Sequence, residues 1–350
     1  MKGKINIDQI TIDHPQIKTQ IKTRVSTGTL KENQAALPGD FSVSKFISKL
    51  SPTLKKLFAL LPEHQRSVEL RFKNIISQYF RRLDGSLYLS RKKKEIILNA
   101  TIKNIAFNPS TLSDTTFEKY LDLESIELDQ LKCIIKFSSE GKINGYCNFI
   151  APKLKSKSNH ILFDSNIIES SFKLSDAFYQ IDIKPFKLNY PEGLVAIYFK
   201  DNQIQEKTEI RFTGTNIHID QAKEMSLLLF KDNEITKNLF NILHKGIAPK
   251  VNVSFQSKSL KDLFDENHLT LMGNIKNGSV KIPETNLIAS HVFGDANIHN
   301  GVLNINTNNA MIQSSKIESG ILSIALLNYV DFPFQGEFLL DVDLSMIPQA

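Results

Sequence analysis

Few residues of this chain have the types and spacing that could support catalysis or metal binding. Ser42 and Lys45 match the S-x-x-K pattern of serine acyl-transfer enzymes, but the sequence lacks the K-T-G and S-D-N partners of that chemistry. His291, Asp295 and His299 lie close enough in sequence to suggest metal ligands. We interpret them as surface residues, because the glycine before Asp295 interrupts the alternation that would place them on one side of a strand.

The common catalytic and nucleotide-binding motifs are absent as well. The sequence contains no G-x-S-x-G, H-E-x-x-H, C-x-x-C, G-x-x-x-x-G-K-[ST] or G-x-G-x-x-G pattern. We therefore predict a protein that is not an enzyme and that carries no cofactor and no metal.

Composition and charge further limit the class of protein and its expected partners. The 350 residues are 41% hydrophobic and 23% charged, which is typical of neither a disordered chain nor a membrane-embedded bundle. The net charge of +6 comes mostly from scattered lysines. We interpret the dense run at 91–94 as the solvated end of a hairpin, with contact to anionic lipid headgroups as the alternative. Nucleic acid is not an expected partner, because no aromatic residues are interleaved with this run.

Membrane attachment, if it occurs, needs a segment that this sequence does not contain. No apolar run approaches the roughly 18 residues that span a bilayer. The first residues, M-K-G-K-I-N, lack the apolar core of a signal peptide. We therefore expect any membrane contact to depend on an anchor missing from this chain.

The two cysteines bear on the cellular compartment. If 131–137 and 142–149 form a hairpin that turns at 139–141, Cys133 faces Cys147 and Phe137 faces Ile143. A non-hydrogen-bonded pair of this kind would allow a cross-strand disulfide and would indicate an oxidising compartment. Two ordinary buried thiols are the alternative.

Repetition near the C-terminus supplies the main fold signal. The stretches 272–282 and 293–305 both read as strand, Asn-Gly turn and strand, with the turns at Asn277-Gly278 and Asn300-Gly301. A more diverged third copy follows at Ser319-Gly320. Consecutive hairpins with one apolar face predict a long antiparallel sheet.

Strand patterns continue through almost the whole chain, interrupted by a few helical stretches. The sequence predicts a mainly β fold: a long, curved antiparallel sheet in the form of a β-groove, with a few short amphipathic helices. We expect a β-rich segment at 1–193 with a helical insertion near 42–62, followed by a C-terminal groove region at 194–350. A helix is predicted at 234–245, ending before Gly246.

The apolar face of the repeats is the main candidate functional surface. We predict inward positions in three groups, which follow the three repeats: Ile275, Val280, Ile282, Ile298, Leu303, Ile305, Leu322, Ile324 and Leu326. In a closed sandwich these side chains would fill a core and bind nothing. In an open, curled sheet they would line a trough for hydrocarbon chains.

The C-terminal part of the chain resembles a known family. The runs T-G-T-N-I-H-I-D-Q-A at 213–222, N-L-F-N-I-L-H-K-G at 238–246, N-H-L-T-L-M-G-N-I-K-N-G-S-V-K-I-P at 267–283 and G-D-A-N-I-H-N-G-V-L at 294–303 carry the resemblance. They are similar to the C-terminal region of bacterial AsmA-like envelope proteins, a group that includes TamB and YhdP. The resemblance covers 194–347, and its motifs are turns and strand ends.

The resemblance implies a function as well as a fold. It implies a β-groove that carries phospholipid or other acyl lipids between the inner and outer membranes, on the periplasmic side of the inner membrane of a diderm bacterium. Envelope proteins would be its protein partners. The competing hypothesis is a structural or assembly scaffold of the envelope with a closed β core.

Overall fold

The computed structural model describes most of the chain after residue 66. The described residues are 9–13, 67–75, 83–107, 123–156, 161–229, 234–259, 262–263, 268–283, 285–313, 315–327 and 334–341. They form eighteen strands and two short helices. The prediction of a mainly β chain with long antiparallel pairing and few helices is confirmed. The helical insertion predicted near 42–62 lies outside the described residues.

The strands follow one another with short connections along most of the chain. In chain order they are β1 (Gln9–Asp13), β2 (Val68–Ile75), β3 (Leu83–Lys92), β4 (Glu95–Phe107), β5 (Leu123–Ser138), β6 (Ile143–Ile150), β7 (Lys153–Ser156), β8 (Ile161–Ser165), β9 (Ile167–Ser175), β10 (Phe178–Tyr190), β11 (Gly193–Asn202), β12 (Lys207–His218), β13 (Leu243–Ser257), β14 (Leu269–Lys281), β15 (Ile288–His299), β16 (Val302–Ile312), β17 (Ser315–Ala325) and β18 (Phe334–Asp341). The helices are α1 (Ile219–Leu229) and α2 (Glu234–Ile242).

The chain divides into two compact units. Unit 1 comprises Met1–Lys119, Leu123–His160 and Ser171–Asp176, and unit 2 comprises Tyr120–Asp122, Ile161–Ser170 and Ala177–Ala350. Strands β10 to β18 and both helices therefore belong to unit 2. The residues of β9 are divided between the units.

Unit 1 is built on an antiparallel run from β2 to β6. Each of these strands pairs with the next, β7 pairs with β5, and β1 adds to β2 in parallel. The basic run at 91–94 comprises the last two residues of β3 and the two-residue connection to β4, and its last three residues are exposed, as its interpretation as a hairpin end predicts. One row across the sheet consists of Leu87, Ala100, Cys133 and Cys147, packed with Leu131 and Phe149 among others.

The two cysteines form a disulfide between β5 and β6. Cys133 lies directly opposite Cys147, and Phe137 lies opposite Ile143, which is the register that the sequence predicts. The cysteine Cα atoms are 4.2 Å apart, the close spacing of a non-hydrogen-bonded pair. Of the two alternatives for these residues, the structure contains the bonded one. A cross-link over a separation of 14 residues contributes about 3 kcal/mol to the stability of its unit in the chain-entropy description.

Unit 2 contains an uninterrupted antiparallel meander from β10 to β18. Each strand in this series pairs with the next along the chain. Only the connection between β12 and β13 contains described helices, α1 and α2. The meander follows from the short connections between strands, because neighbours joined this way pair antiparallel.

Only one of the Asn-Gly pairs forms a hairpin turn. Asn300 and Gly301 connect β15 to β16 with φ values of 49° and 71°, and His299 pairs with Val302. These are the left-handed conformations that a two-residue turn requires. The predicted turn at Asn300-Gly301 is confirmed.

The other predicted turns are wrong. Asn277-Gly278 lies inside β14 as an irregularity in the pairing with β15, and Ser319-Gly320 lies inside β17. Asn277 is left-handed, with φ 53°, and so is His291 on the neighbouring strand, with φ 50°. The imidazole Nδ1 of His291 lies 2.8 Å from Oδ1 of Asn277. Because both strands deviate at the same place, they bend together and remain paired, so the Asn-Gly pair forms a bulge instead of a turn.

The helices also differ from the prediction. The alternating pattern of 217–219 and 227–229 predicts strands. Residues 217 and 218 end β12, but Ile219–Leu229 is helix α1. The intervening D-Q-A-K-E-M run consists largely of helix formers, with Asp220 in the first turn where a negative charge is favourable. The predicted helix at 234–245 exists as α2, but it ends at Ile242. In the described part of the chain, neither helix is long and apolar enough to cross a bilayer.

Candidate functional site

The register of unit 2 aligns apolar residues into a continuous row. One residue from each strand of β10 to β18 lies directly opposite the next: Ile183, Ile197, Phe212, Val253, Leu271, Ile298, Leu303, Ile324 and Phe334. We call this set the central row. With neighbouring strands about 4.8 Å apart, the row extends for roughly 38 Å across the sheet. No polar side chain interrupts it.

A second apolar row runs beside the central row on the same face. It lies two residues along each strand and comprises Ile181, Phe199, Ile210, Phe255 and Leu269. We call it the side row. Side chains two residues apart on a strand point to the same face, so the two rows form one apolar surface.

The opposite face of the same strands is polar. Asp182, Tyr198, Arg211 and Ser254 lie opposite one another in a parallel row. The Arg211 guanidinium lies 4.7 Å from the centre of the Tyr198 ring and forms an ion pair of 2.7 Å with Glu209. The sheet of unit 2 therefore has one apolar face and one polar face, which is the alternation that its sequence predicts.

Burial changes along the central row. Ile298, Leu303 and Ile324, on β15 to β17, expose 0%, 2% and 2% of their surface. The members on β10 to β14 are only half-buried, and Ile181 of the side row is 38% exposed. Along these two rows, the apolar face thus has a closed section on β15 to β17 and a partly open section on β10 to β14, whereas Ile275 and Val280, elsewhere on β14, are buried.

The nine residues predicted as inward positions all lie in or beside the closed section. Each of them exposes 7% or less of its surface. All except Ile282 belong to one hydrophobic cluster, which also contains Ile235 and Ile242 of helix α2. The structure thus brings the predicted residues together on one face. Their contact with lipid stays a prediction.

Helix α2 packs against the closed section. Its buried residues Ile235 and Ile242 belong to the cluster, and Leu239 packs against it. The side-chain amide of Asn238 donates a hydrogen bond of 2.7 Å to the carbonyl oxygen of Leu326. Lys223 of α1 donates to the carbonyl oxygen of Phe240, near the C-terminal end of α2, where a positive charge is favourable.

Little empty space remains in the closed section. A cavity of about 20 Å³ is lined by apolar side chains that include Val280, Ile282, Ile305 and Leu322. Thr307 is the polar residue of this lining, and its hydroxyl donates to the carbonyl oxygen of Phe293. A void of this size holds about one water molecule, so an acyl chain does not fit without movement of the surrounding side chains.

The partly open section was not singled out by the sequence. Its strands show the same alternation, for example Ile181 with Ile183 and Ile210 with Phe212. The signal that could have identified it is the larger number of phenylalanines on β10 to β13 compared with the repeats. Side-chain exposure, in contrast, depends on what packs over each strand, which the alternation does not specify.

The residues that could have supported chemistry do not form a site. Among the described residues, no group of three or more His, Cys, Asp or Glu side chains could hold a metal ion. The Asp295 carboxylate accepts a hydrogen bond from Asn274 across the strand pair, and His291 contacts Asn277. His299 lies four residues beyond Asp295 on the same strand, about 13 Å away. Ser42 and Lys45 lie outside the described residues.

Tyr190 of unit 2 has a raised pKa and a hydrogen bond to Glu224. Burial, followed by its hydrogen bond to Glu224 and the charges of Glu224 and Asp220, raises the pKa of Tyr190 to about 12. The phenol therefore stays protonated at neutral pH. Its hydroxyl donates a hydrogen bond to Glu224.

Comparisons of the chain with protein families, with curated proteins and with solved structures find no significant match. The resemblance to AsmA-like proteins therefore remains a sequence-based hypothesis, and the function has to be argued from the geometry of unit 2.

Proposed function

We propose that this chain is a non-enzymatic lipid-binding or lipid-transfer segment, whose apolar face in unit 2 carries acyl chains. The observation that carries the proposal is the central row, which crosses nine strands without a polar side chain. The half-buried section on β10 to β14 is the place where acyl chains would bind first.

The energetics suit a ligand that must move. Each methylene that leaves water contributes about 0.8 kcal/mol, so a long acyl chain binds strongly to a continuous apolar surface. Hydrophobic and dispersion contacts have no preferred direction. Because each strand contributes a similar apolar side chain to the row, an acyl chain has nearly the same binding energy at each position. A bound chain can therefore slide along the row without breaking specific bonds.

Purified protein provides the first test. We expect native mass spectrometry to detect acyl lipid bound to the chain, and incubation with phospholipid vesicles to increase the occupied fraction. Lipid transfer between donor and acceptor vesicles should then depend on protein concentration. A chain that retains no lipid after exposure to vesicles would contradict the proposal.

The compartment follows from the same hypothesis. We propose that the chain acts in the envelope of a diderm bacterium, on the periplasmic side of the inner membrane, with phospholipid and envelope proteins as partners. The disulfide between Cys133 and Cys147 supports an oxidising compartment, because cytosolic thiols are kept reduced.

Alkylation of the protein in intact cells, before lysis, should leave both cysteines unmodified. Two alkylated cysteines would argue against this location.

A second candidate function is a structural or assembly scaffold of the envelope. The closed section favours it, because Ile298 and Leu326 are fully buried and the cavity beside Val280 and Ile305 has room for about one water. A scaffold requires a packed core and no ligand. The two candidates differ in what they require of β10 to β14. Half-buried apolar side chains there would contact acyl chains in lipid binding, whereas a closed core does not need them to be open to solvent.

A further inference from the structure

The face of the unit 1 sheet opposite the disulfide row carries lysines beside exposed apolar residues. On β5, Ile134 lies between Lys132 and Lys136, and side chains two residues apart on a strand share a face. Ile134 is 47% exposed, and both lysines are exposed. Tyr88 of β3 is 43% exposed and lies in the same cross-strand row as Ile134, with Asn99 of β4 between them. An aliphatic and an aromatic side chain therefore lie about 10 Å apart on one exposed face.

Two hairpin ends add positive charge at the edge of this face. Residues 92–94, at the end of β3 and in its connection to β4, are three exposed lysines. The end of the next hairpin lies beside them, because the backbone N–H of Ser139 donates a hydrogen bond of 3.0 Å to the carbonyl oxygen of Lys94. We call the basic face the set of Tyr88, Ile134 and six exposed lysines: Lys92, Lys93, Lys94, Lys132, Lys136 and Lys142.

Three glutamates lie on or beside the basic face, and two of them are already paired. Glu140 forms an ion pair of 3.0 Å with Lys142. Glu69 forms one of 2.7 Å with Arg71. The third, Glu95, lies at the hairpin end. The two lysines of β5 lie opposite uncharged side chains on both neighbouring strands, so no acidic residue directly faces their ammonium groups.

We infer that the basic face of unit 1 docks on the surface of an anionic lipid bilayer. The lysine ammonium groups lie at the headgroup phosphates, and Ile134 and Tyr88 enter the headgroup region, where apolar contact adds to electrostatic attraction. A tyrosine suits this depth, because its ring is apolar and its hydroxyl stays hydrated. Nucleic acid offers the same phosphate chemistry, but its backbone has no apolar layer that would take up an aliphatic side chain between two lysines.

This inference goes beyond the proposed function, because docking does not require the apolar face of unit 2. It also departs from the expectation that membrane contact depends on an anchor missing from this chain. The contact is made by side chains at a surface, so it is reversible and depends on salt.

Flotation of the full chain with vesicles tests the requirement for charge. Vesicles of phosphatidylcholine alone are compared with vesicles that contain about one-third phosphatidylglycerol. At about 0.05 M salt the anionic vesicles should be bound at least about tenfold more tightly, and most of this difference should disappear at about 0.5 M salt, where the charges are screened. Equal binding of the two kinds of vesicle at low salt overturns the inference.

Two double variants test the location of the contact. Lys132→Gln with Lys136→Gln should weaken binding to the anionic vesicles about 25-fold, since each lysine near such a surface contributes about fivefold. Lys250→Gln with Lys276→Gln removes the same net charge from exposed positions of unit 2 and should have a much smaller effect. Equal losses in the two double variants overturn the inference, because the vesicles would then respond only to the overall charge.

An introduced fluorophore tests whether the apolar part of the face reaches the bilayer. The chain contains no tryptophan, so the emission of Ile134→Trp reports on this position alone. The emission should shift to shorter wavelength with anionic vesicles and not with phosphatidylcholine alone. Met272→Trp, at a side chain 57% exposed in unit 2, is the control and should not shift. A shift in Met272→Trp that equals or exceeds that of Ile134→Trp overturns the inference.

Docking and lipid retention can fail separately. A chain that binds anionic vesicles but retains no acyl lipid after repurification contradicts the proposed function and supports docking. A chain that retains lipid but binds both kinds of vesicle equally overturns docking alone. A DNA duplex that binds the chain more tightly than anionic vesicles at equal phosphate concentration, with the same loss in the Lys132 and Lys136 double variant, assigns the basic face to nucleic acid and overturns the inference.

Discussion

The Phe212→Asp variant is expected to lose at least about nine-tenths of its bound lipid and to remain folded. Phe212 is a member of the central row on β12, in the partly open section, and its side chain is half-buried. A carboxylate there can stay hydrated in the free protein, so the loss of stability should be about 1 to 2 kcal/mol. A bound acyl chain would have to desolvate that charge, which costs several kcal/mol. Native mass spectrometry after incubation with vesicles measures the occupied fraction.

The neighbouring residue on the same strand offers a control for this change. Thr213 is exposed on the polar face, so Thr213→Asp adds the same charge one residue away and should leave lipid binding unchanged. Circular dichroism with a thermal scan verifies that both variants are folded. Equal lipid binding by the Phe212 and Thr213 variants would mean that the central row does not contact lipid.

The Leu303→Asp variant should unfold unit 2. Leu303 exposes 2% of its surface and packs in the cluster that contains Ile298, Ile324 and the apolar residues of α2. An aspartate at this position would be a buried, unpaired charge, which destabilises by about 4 kcal/mol or more. This loss is comparable to the total stability of an average domain. Urea titration followed by circular dichroism should show that part of the chain is unfolded before denaturant is added.

The control for this change lies on the other face of β16. Asn306 is exposed and lies opposite Asp295. Asn306→Asp therefore adds only the repulsion of two exposed carboxylates, below about 1 kcal/mol, and should leave the unfolding midpoint far closer to that of the unmodified protein than Leu303→Asp does. A folded Leu303→Asp protein with a near-normal midpoint would show that the closed section opens to water. In that case the nine predicted positions, and not β10 to β14, would be the first place to look for lipid.

The sequence predicts the type of secondary structure well because alternation is a local property. It also predicts the pairing of Cys133 with Cys147, since the short turn at Ser139-Glu140-Gly141 fixes the register of the two strands it joins. When a short turn joins two strands, each strand pairs with the next one along the chain, so their register can be predicted without information from distant residues.

The Asn-Gly pairs show a feature that the local sequence does not determine, namely whether a left-handed residue pair forms a turn or a bulge. Both pairs favour left-handed conformations, yet Asn300-Gly301 reverses the chain and Asn277-Gly278 does not. The difference at Asn277 depends on His291 across the strand pair, which is left-handed at the same place. A sequence motif reports the preferred dihedral angles of two residues, whereas the choice between turn and bulge depends on the strand that lies beside them.

The sequence predicts that the candidate site is an apolar face of the sheet, but it identifies only some of the strands that contribute to it. The repeats identify the face that carries Ile298, Leu303 and Ile324, and the structure places these residues on the central row. The partly open section could not be ranked above the repeats, because side-chain exposure depends on which other parts of the chain pack over each strand. Asp201, Thr208 and Ser257 could not be identified as neighbours from the sequence, because they meet only through the pairing of three strands.

The disulfide of unit 1 also has a practical consequence for following the ligand in real time. The two cysteine sulfur atoms of the chain are bonded to each other, so the protein has no free thiol of its own. A single cysteine introduced at an exposed position of β10 to β14 would therefore accept a fluorescent dye at one known place without removal of native residues. The arrival of hydrocarbon beside the dye could then be timed by a change in emission.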